Sequence, residues 1–183
     1  MKILLHVFPL FFGIAIANAQ HHSHAGARPL SYPDIAGYKT LKTDLHQHTV
    51  FSDGKVWPTI RVMEALRDSL DVISLTEHLE YQPHQEDIPH PDRNRSFELV
   101  KAMQEAKEHG LLIVHGSEIT RSEPVGHSNA IFISDANKLL HDQPEDAFAA
   151  AKKQGAFVFW NHPAWYAQNP KGTPILSDFQ KAR

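Results

Sequence analysis

Almost every short apolar run in this chain stops at a histidine or a carboxylate, and that coincidence limits the folds that can make sense of it. The run at 41–45 leads into Asp44-Leu45-His46-Gln47-His48 and then Ser52-Asp53-Gly54. The run at 71–76 ends in Thr76-Glu77-His78, the run at 111–115 in Gly116-Ser117-Glu118, and the run at 156–161 in Asn161-His162-Pro163. One cluster, Gly126-His127-Ser128-Asn129, precedes its run (129–134) instead of following it. Such short, β-branched or aromatic runs read as strands. Between them, residues 59–69 carry Ile60, Met63 and Leu66 at helical spacing, with Leu70 just beyond. Residues 94–109 read as a helix with Ser96 as N-cap and Gly110 as stop, and 144–154 as an alanine-rich helix ending at Gly155. Strands alternating with helices predict an α/β domain with a parallel sheet or barrel of about five strands. In either form the carboxyl ends of the strands make one rim, and ligands bind there. Four of the clusters therefore converge; the loop before His127 must bend back to join them.

The chain has fourteen histidines and no cysteine, so a metal here would be held by imidazole and carboxylate alone. Alternating side chains of an extended segment share a face, which puts Asp44, His46 and His48 together and Leu45 and Gln47 opposite. His46 and His48 could grip one ion, while Asp44, just outside it, could orient an imidazole. Glu118, among histidines past a strand, could bridge two ions with its two oxygens. His115 lies inside its strand and reads as core; His84, His90, His109 and His141 read as surface residues. Lys55 and Arg121 near the rim could meet a phosphate, but both read as exposed loop residues.

The segment from Asp44 to Gly54 resembles the opening motif of the PHP (polymerase and histidinol phosphatase) superfamily. Thr76-Glu77-His78 is similar to its second motif, Gly116-Ser117-Glu118 with Gly126-His127-Ser128-Asn129 to its third, and Asn161-His162-Pro163 to its next metal-binding histidine. The resemblance implies a distorted (β/α)7, TIM-like barrel and a centre of two or three divalent ions, of zinc, manganese or iron. His46 and His48 would bind a first metal with Glu118. Glu118 would bridge to a second, held by His127 and His162, while Asp53 and His78 would hold a third. Asp44, Glu77 and Asn129 would support these ligands from behind. The activity implied is hydrolysis of a small phosphorylated metabolite or nucleotide by a metal-bound hydroxide. Family members also carry a final Asp-x-His, which nothing after Pro163 matches; Asp178 is followed by Phe179-Gln180-Lys181. The expectation is therefore the N-terminal two thirds of such a domain, within a longer protein. The competing readings are an amidohydrolase-type cleavage of C–N or ester bonds and an inactive metal-binding remnant of the fold.

The remaining organisation is read from composition. Lys2, the apolar stretch 3–17 and Ala17-Asn18-Ala19 have the layout of an export signal cleaved after residue 19. Residues 20–40, with His21, His22 and His24, read as a flexible leader, and 41–183 as the metallohydrolase domain. The expected setting is periplasmic or secreted, with no membrane span after cleavage. A formal net charge of −3 argues against a surface that coats nucleic acid.

Overall fold

The computed structural model describes residues 31–89, 91–122, 125–163 and 165. The expected export signal, the leader histidines His21, His22 and His24, and His90 lie outside them, as does everything beyond Trp165. The elements in order are β1 (Thr43–Gln47), α1 (Pro58–Arg67), β2 (Val72–Leu75), α2 (Arg95–Val100), α3 (Gln104–Glu108), β3 (Leu112–Thr120), β4 (His127–Ile131), a 3-10 turn (Ala136–Leu139), α4 (Pro144–Lys153) and β5 (Phe157–Trp160).

The strands form one sheet in the order β1-β2-β3-β4-β5. It is mixed, which corrects the expectation of a parallel sheet. β1, β2 and β3 run parallel, whereas β3 pairs antiparallel with β4 and β4 antiparallel with β5. A parallel crossover needs a dozen or more residues, and 121–126 cannot supply one, so the chain turns straight back. β3 is also longer than its apolar run. It pairs with β2 over Leu112–His115 and with β4 over Gly116–Thr120, so Glu118 lies within the strand and not past its end.

Helices cover one face. Val62, Ala65, Val100 and Ala106 pack with Ile73, Leu75 and Leu111, and Ala147, Ala151 and Leu139 pack with Ile119 and Ala130. Burying each of the larger aliphatic side chains contributes about 1.5–3 kcal/mol. The helix expected over 94–109 is broken into α2 and α3 by Met103, which is extended at φ −55°, ψ 129°. The break has a packing reason. Val100 and Ala106, both buried, would point about 120° apart on one unbroken helix, and separate helices bring both to the sheet. Ser96 is buried within α2, and Asn94 occupies the N-cap without a capping bond to the helix, its side chain bonding Asp135 and Ala136 instead.

On the opposite face, Val72, Val114 and Ile131 pack with Leu45 and Phe159. The two edge strands both line one cavity of about 320 Å³, through Thr43, Leu45, Phe157 and Phe159 among others. The sheet is therefore curled like part of a barrel wall, with this small apolar cluster inside it. His115 points the other way: it is 8% exposed and stacks on Phe97 of α2 at 4.2 Å and 6°. It is a core residue, and burial lowers its pKa despite the attraction of Glu98 and Asp135.

Candidate metal centre

The strand directions gather the polar clusters at one end. β1 and β2 deliver His48 and His78 just past their carboxyl ends, and β5 delivers His162 in the same way. Because β4 is antiparallel, its first residue, His127, stands at that same end opposite Thr120. The bend expected of the loop before His127 is not needed, because strand direction alone brings His127 to the rim.

Glu118 sits at the middle of this gathering with no exposed surface. Its Oε2 lies 2.7 Å from His46 Nε2 and 3.3 Å from His48 Nε2. Its Oε1 lies 2.6 Å from His127 Nδ1 and 3.2 Å from His78 Nδ1. Despite this closeness, neither oxygen has a hydrogen-bond partner of acceptable geometry. Buried carboxylates are costly unless paired, so this one calls for cations. Two ring nitrogens, His46 Nε2 and His48 Nε2, also face each other at 3.0 Å. On one tetrahedral zinc such a pair would stand about 3.3 Å apart. Among the described residues three compact groups result: His46, His48 and Glu118; His48, Asp53 and His78; His78, Glu118 and His127. In each, one ligand atom per residue lies within 4.8 Å of the others.

The electrostatics suit divalent ions. Burial would raise the Glu118 carboxyl, but His46, His48 and His78 hold it below the usual carboxylate range. Burial lowers His127 and His162, which leaves neutral imidazoles with lone pairs to offer. Burial also works against a proton on His78, yet Glu118 and Asp53 outweigh it and raise the pKa. The carboxylates thus attract positive charge while the pocket resists protons on two of the rings. The donor set of imidazole and carboxylate fits zinc, manganese or iron.

His162 completes the ring of imidazoles without joining a compact group. It stacks on His46 at 5.5 Å and meets His127 edge-on at 5.1 Å. Its φ of 27° is left-handed, at a position that precedes Pro163. Such backbone costs about 1–3 kcal/mol and persists where neighbours enforce it. Here Asn161 enforces it: its N–H donates to the His127 carbonyl at 2.9 Å and its side-chain amide to Asn129 Oδ1 at 2.8 Å. Asn129, fully buried, in turn donates to the Leu45 carbonyl at 3.0 Å, tying β4 to β1 behind the ligands.

Glu77, 4% exposed, holds the loop after β1. It accepts from Thr49 N (3.0 Å), Thr49 Oγ1 (2.5 Å) and Ser52 Oγ (2.5 Å). Asp44 behaves differently from its expected role. The β1 register shifts between Asp44 and Gln47, which interrupts strict alternation. Its carboxylate accepts from the Gln47 side chain (2.9 Å) and the His46 N–H (3.3 Å), so no ring is oriented through these bonds. Arg121 is also not the free loop residue expected. Its side chain is 17% exposed, pairs with Glu80 at 2.9 Å, and donates to the carbonyls of His141 and Asp142. Lys55, His109 and His141 are exposed.

Three contributors had no assigned role in the sequence reading. Ser52 Oγ meets His48 Nδ1 at 3.2 Å, and Thr120 Oγ1 meets His78 Nδ1 at 2.6 Å. Thr120 lies two residues beyond Glu118 on the same strand, so period-two spacing could have found it. Trp165, half exposed, stands edge-on to His127 and His162 at 5.6 and 5.2 Å. A larger cavity of about 970 Å³, bordered by Lys42, Met63 and Asp71, lies at the other end of the strands, away from these ligands.

No protein-family profile and no curated protein matches the chain. Among solved structures, it is similar to a two-domain protein from Bacteroides vulgatus ATCC 8482 containing a predicted PHP-like metal-dependent phosphoesterase. The identity is 53% and the TM-score 0.74, over 83% of this chain and 45% of that one. The chain thus spans less than half the length of that protein. An amidohydrolase from Chromobacterium violaceum, with bound sulfate and no metal, matches at 22% identity and TM-score 0.41, over 61% of this chain and 32% of that one. A protein from Bifidobacterium adolescentis ATCC 15703, provisionally described as a metal-dependent phosphoesterase, matches at 24% and 0.40, over 62% and 33%. Both lie below the level at which a shared fold is informative.

Proposed function

Because this chain belongs with the PHP-like metal-dependent phosphoesterases, we propose that it contributes the metal-binding wall of an enzyme that hydrolyses a small phosphorylated metabolite or nucleotide. The observation that carries this reading is Glu118: fully buried, without a hydrogen bond to either oxygen, and ringed by four imidazoles. His46 and His48 would hold a first ion with Glu118, His127 and His162 a second, and Asp53 with His78 a third. Divalent ions in such a cluster supply a water acidified to hydroxide near neutral pH and a clamp for phosphoryl oxygens. The protein's part is to aim the imidazoles and, through burial, to hold the pKa of His127 and His162 low. Glu77 fixes the loop that carries His48 and Asp53, and Asn129 fixes the turn that carries His162. The five curled strands would belong to a distorted (β/α)7 barrel.

The test is metal content by elemental analysis, together with release of p-nitrophenol from p-nitrophenyl phosphate. The protein should retain two or three divalent ions, about as many as the donor set can hold, and turn the ester over. The His46→Ala/His48→Ala variant should lose metal and activity while keeping its far-ultraviolet circular dichroism. A wild-type protein that binds no divalent ion would end the proposal. Export is proposed on the N-terminal pattern alone: the mature protein should begin at Gln20 by intact mass, and an uncleaved Met1 in the exported fraction would refute it.

A further inference from the structure

We propose that Ser52 and Thr120 are positioning residues that fix which nitrogen His48 and His78 present to metal. The inference rests on reading these histidines as ligands and follows from counting protons. A serine or threonine hydroxyl has one hydrogen to give and can accept two. Ser52 Oγ lies 2.5 Å from Glu77 Oε2, an oxygen that also accepts from the Thr49 N–H, so the serine hydrogen goes to the carboxylate. The contact between Ser52 Oγ and His48 Nδ1, at 3.2 Å, must then be donated by the imidazole. Nδ1 carries the hydrogen and Nε2 keeps its lone pair.

The same count applies on the other side of the centre. Thr120 Oγ1 donates to the Glu118 carbonyl at 3.3 Å and lies 2.6 Å from His78 Nδ1. A hydroxyl hydrogen given to that carbonyl leaves Nδ1 as the donor of the shorter contact. Its other neighbour, the carboxylate oxygen Glu118 Oε1 at 3.2 Å, would repel a lone pair on Nδ1.

These two relays resolve an ambiguity in the ligand groups. His48 belongs to two of them, through Nε2 near Glu118 and His46, or through Nδ1 at 3.7 Å from Asp53. With Nδ1 engaged by Ser52, His48 is committed to the His46–Glu118 side. His78 also belongs to two groups. With Nδ1 engaged by Thr120, it presents Nε2, which lies 3.6 Å from Asp53 Oδ2. Each hydroxyl thus sorts one histidine into one site. Ligating histidines usually have their second nitrogen held in this way, and losing the partner typically weakens metal binding about 10- to 100-fold.

The direct test is long-range proton–nitrogen NMR of the 15N-labelled chain, with and without zinc, which shows which ring nitrogen bears hydrogen. His48 and His78 should both show Nδ1–H, in the metal-free protein at pH 9 and in the zinc form, where Nε2 takes the shift of a metal-bound nitrogen. Ser52→Ala and Thr120→Val should each weaken zinc binding about 10- to 100-fold and move the hydrogen to Nε2 in a fraction of molecules. Ser52→Thr and Thr120→Ser should restore both properties. Nε2–H on either histidine of the wild-type chain would overturn the inference, even if a variant fails to fold. So would unchanged affinity and unchanged spectra in both hydroxyl-free variants. Nδ1–H on both rings in a protein that takes up no zinc would refute the metal reading and leave the relays standing.

Discussion

Replacing Glu118 by Gln will cut turnover of p-nitrophenyl phosphate by about 100- to 1,000-fold, the scale seen when one preorganised electrostatic contact is removed from an active site. Bound metal should fall with it. The two oxygens face different partners, His46 and His48 on one side, His78 and His127 on the other. A glutamine keeps the shape of the side chain but carries no charge, and one of its two ends becomes a donor aimed at ring nitrogens. It can serve one ion at most. The fold should survive, because Glu118 makes no side-chain hydrogen bond whose loss would leave a partner stranded, and its backbone pairing with Asn129 is untouched. Elemental analysis, steady-state kinetics and a melting curve on the metal-free variant separate these effects. Metal content and turnover both within about twofold of wild type would show that Glu118 is not the bridge, since removing a true ligand costs far more.

The reach of the sequence is clearest at Glu118 and its neighbours. The five strands and the site-bearing clusters were legible because apolar runs punctuated by histidine have few readings other than strand ends at a common rim. Strand direction was not legible from composition, since Asn129–Ser134 would look the same in a parallel or an antiparallel strand. The clue lay in the connection 121–126, too short for a crossover. The continuation of β3 through Gly116-Ser117-Glu118 was hidden for a different reason. A strand that changes partners midway, β2 first and β4 afterwards, needs no apolar pattern over its second half. The irregularity in β1 was invisible because alternation is a rule for regular strands, and Asp44 finds Gln47 only where the register slips. The break at Met103 likewise answers to tertiary packing, not to any residue that stops a helix. Ser52 and Thr120 were overlooked because hydroxyls are common near turns and strand ends, and only distances give them a role.

Glu77→Ala should be the most destabilising single change at the site, although Glu77 touches no ligand group directly. Its carboxylate accepts three hydrogen bonds from Thr49 and Ser52, both of which have no exposed surface. Truncation leaves those donors buried without their acceptor, and each stranded group costs about 1–3 kcal/mol. The costs will not add fully, because the loop can relax, so about 3 kcal/mol or more is the expectation. For a domain of this size that is a fall of about 10 °C in melting temperature. The consequence for metal follows from the same bonds. Without Glu77, the Ser52 hydroxyl is free to rotate and offer its hydrogen to His48, which removes the reason for Nδ1 to carry one. The variant should therefore bind zinc more weakly even at temperatures where it is fully folded. Glu118→Gln reverses this pattern, losing metal with little loss of stability. The contrast between the two carboxylates is the decisive comparison, and a Glu77→Ala melting temperature within about 2 °C of wild type would mean that the loop is held by something other than this acceptor.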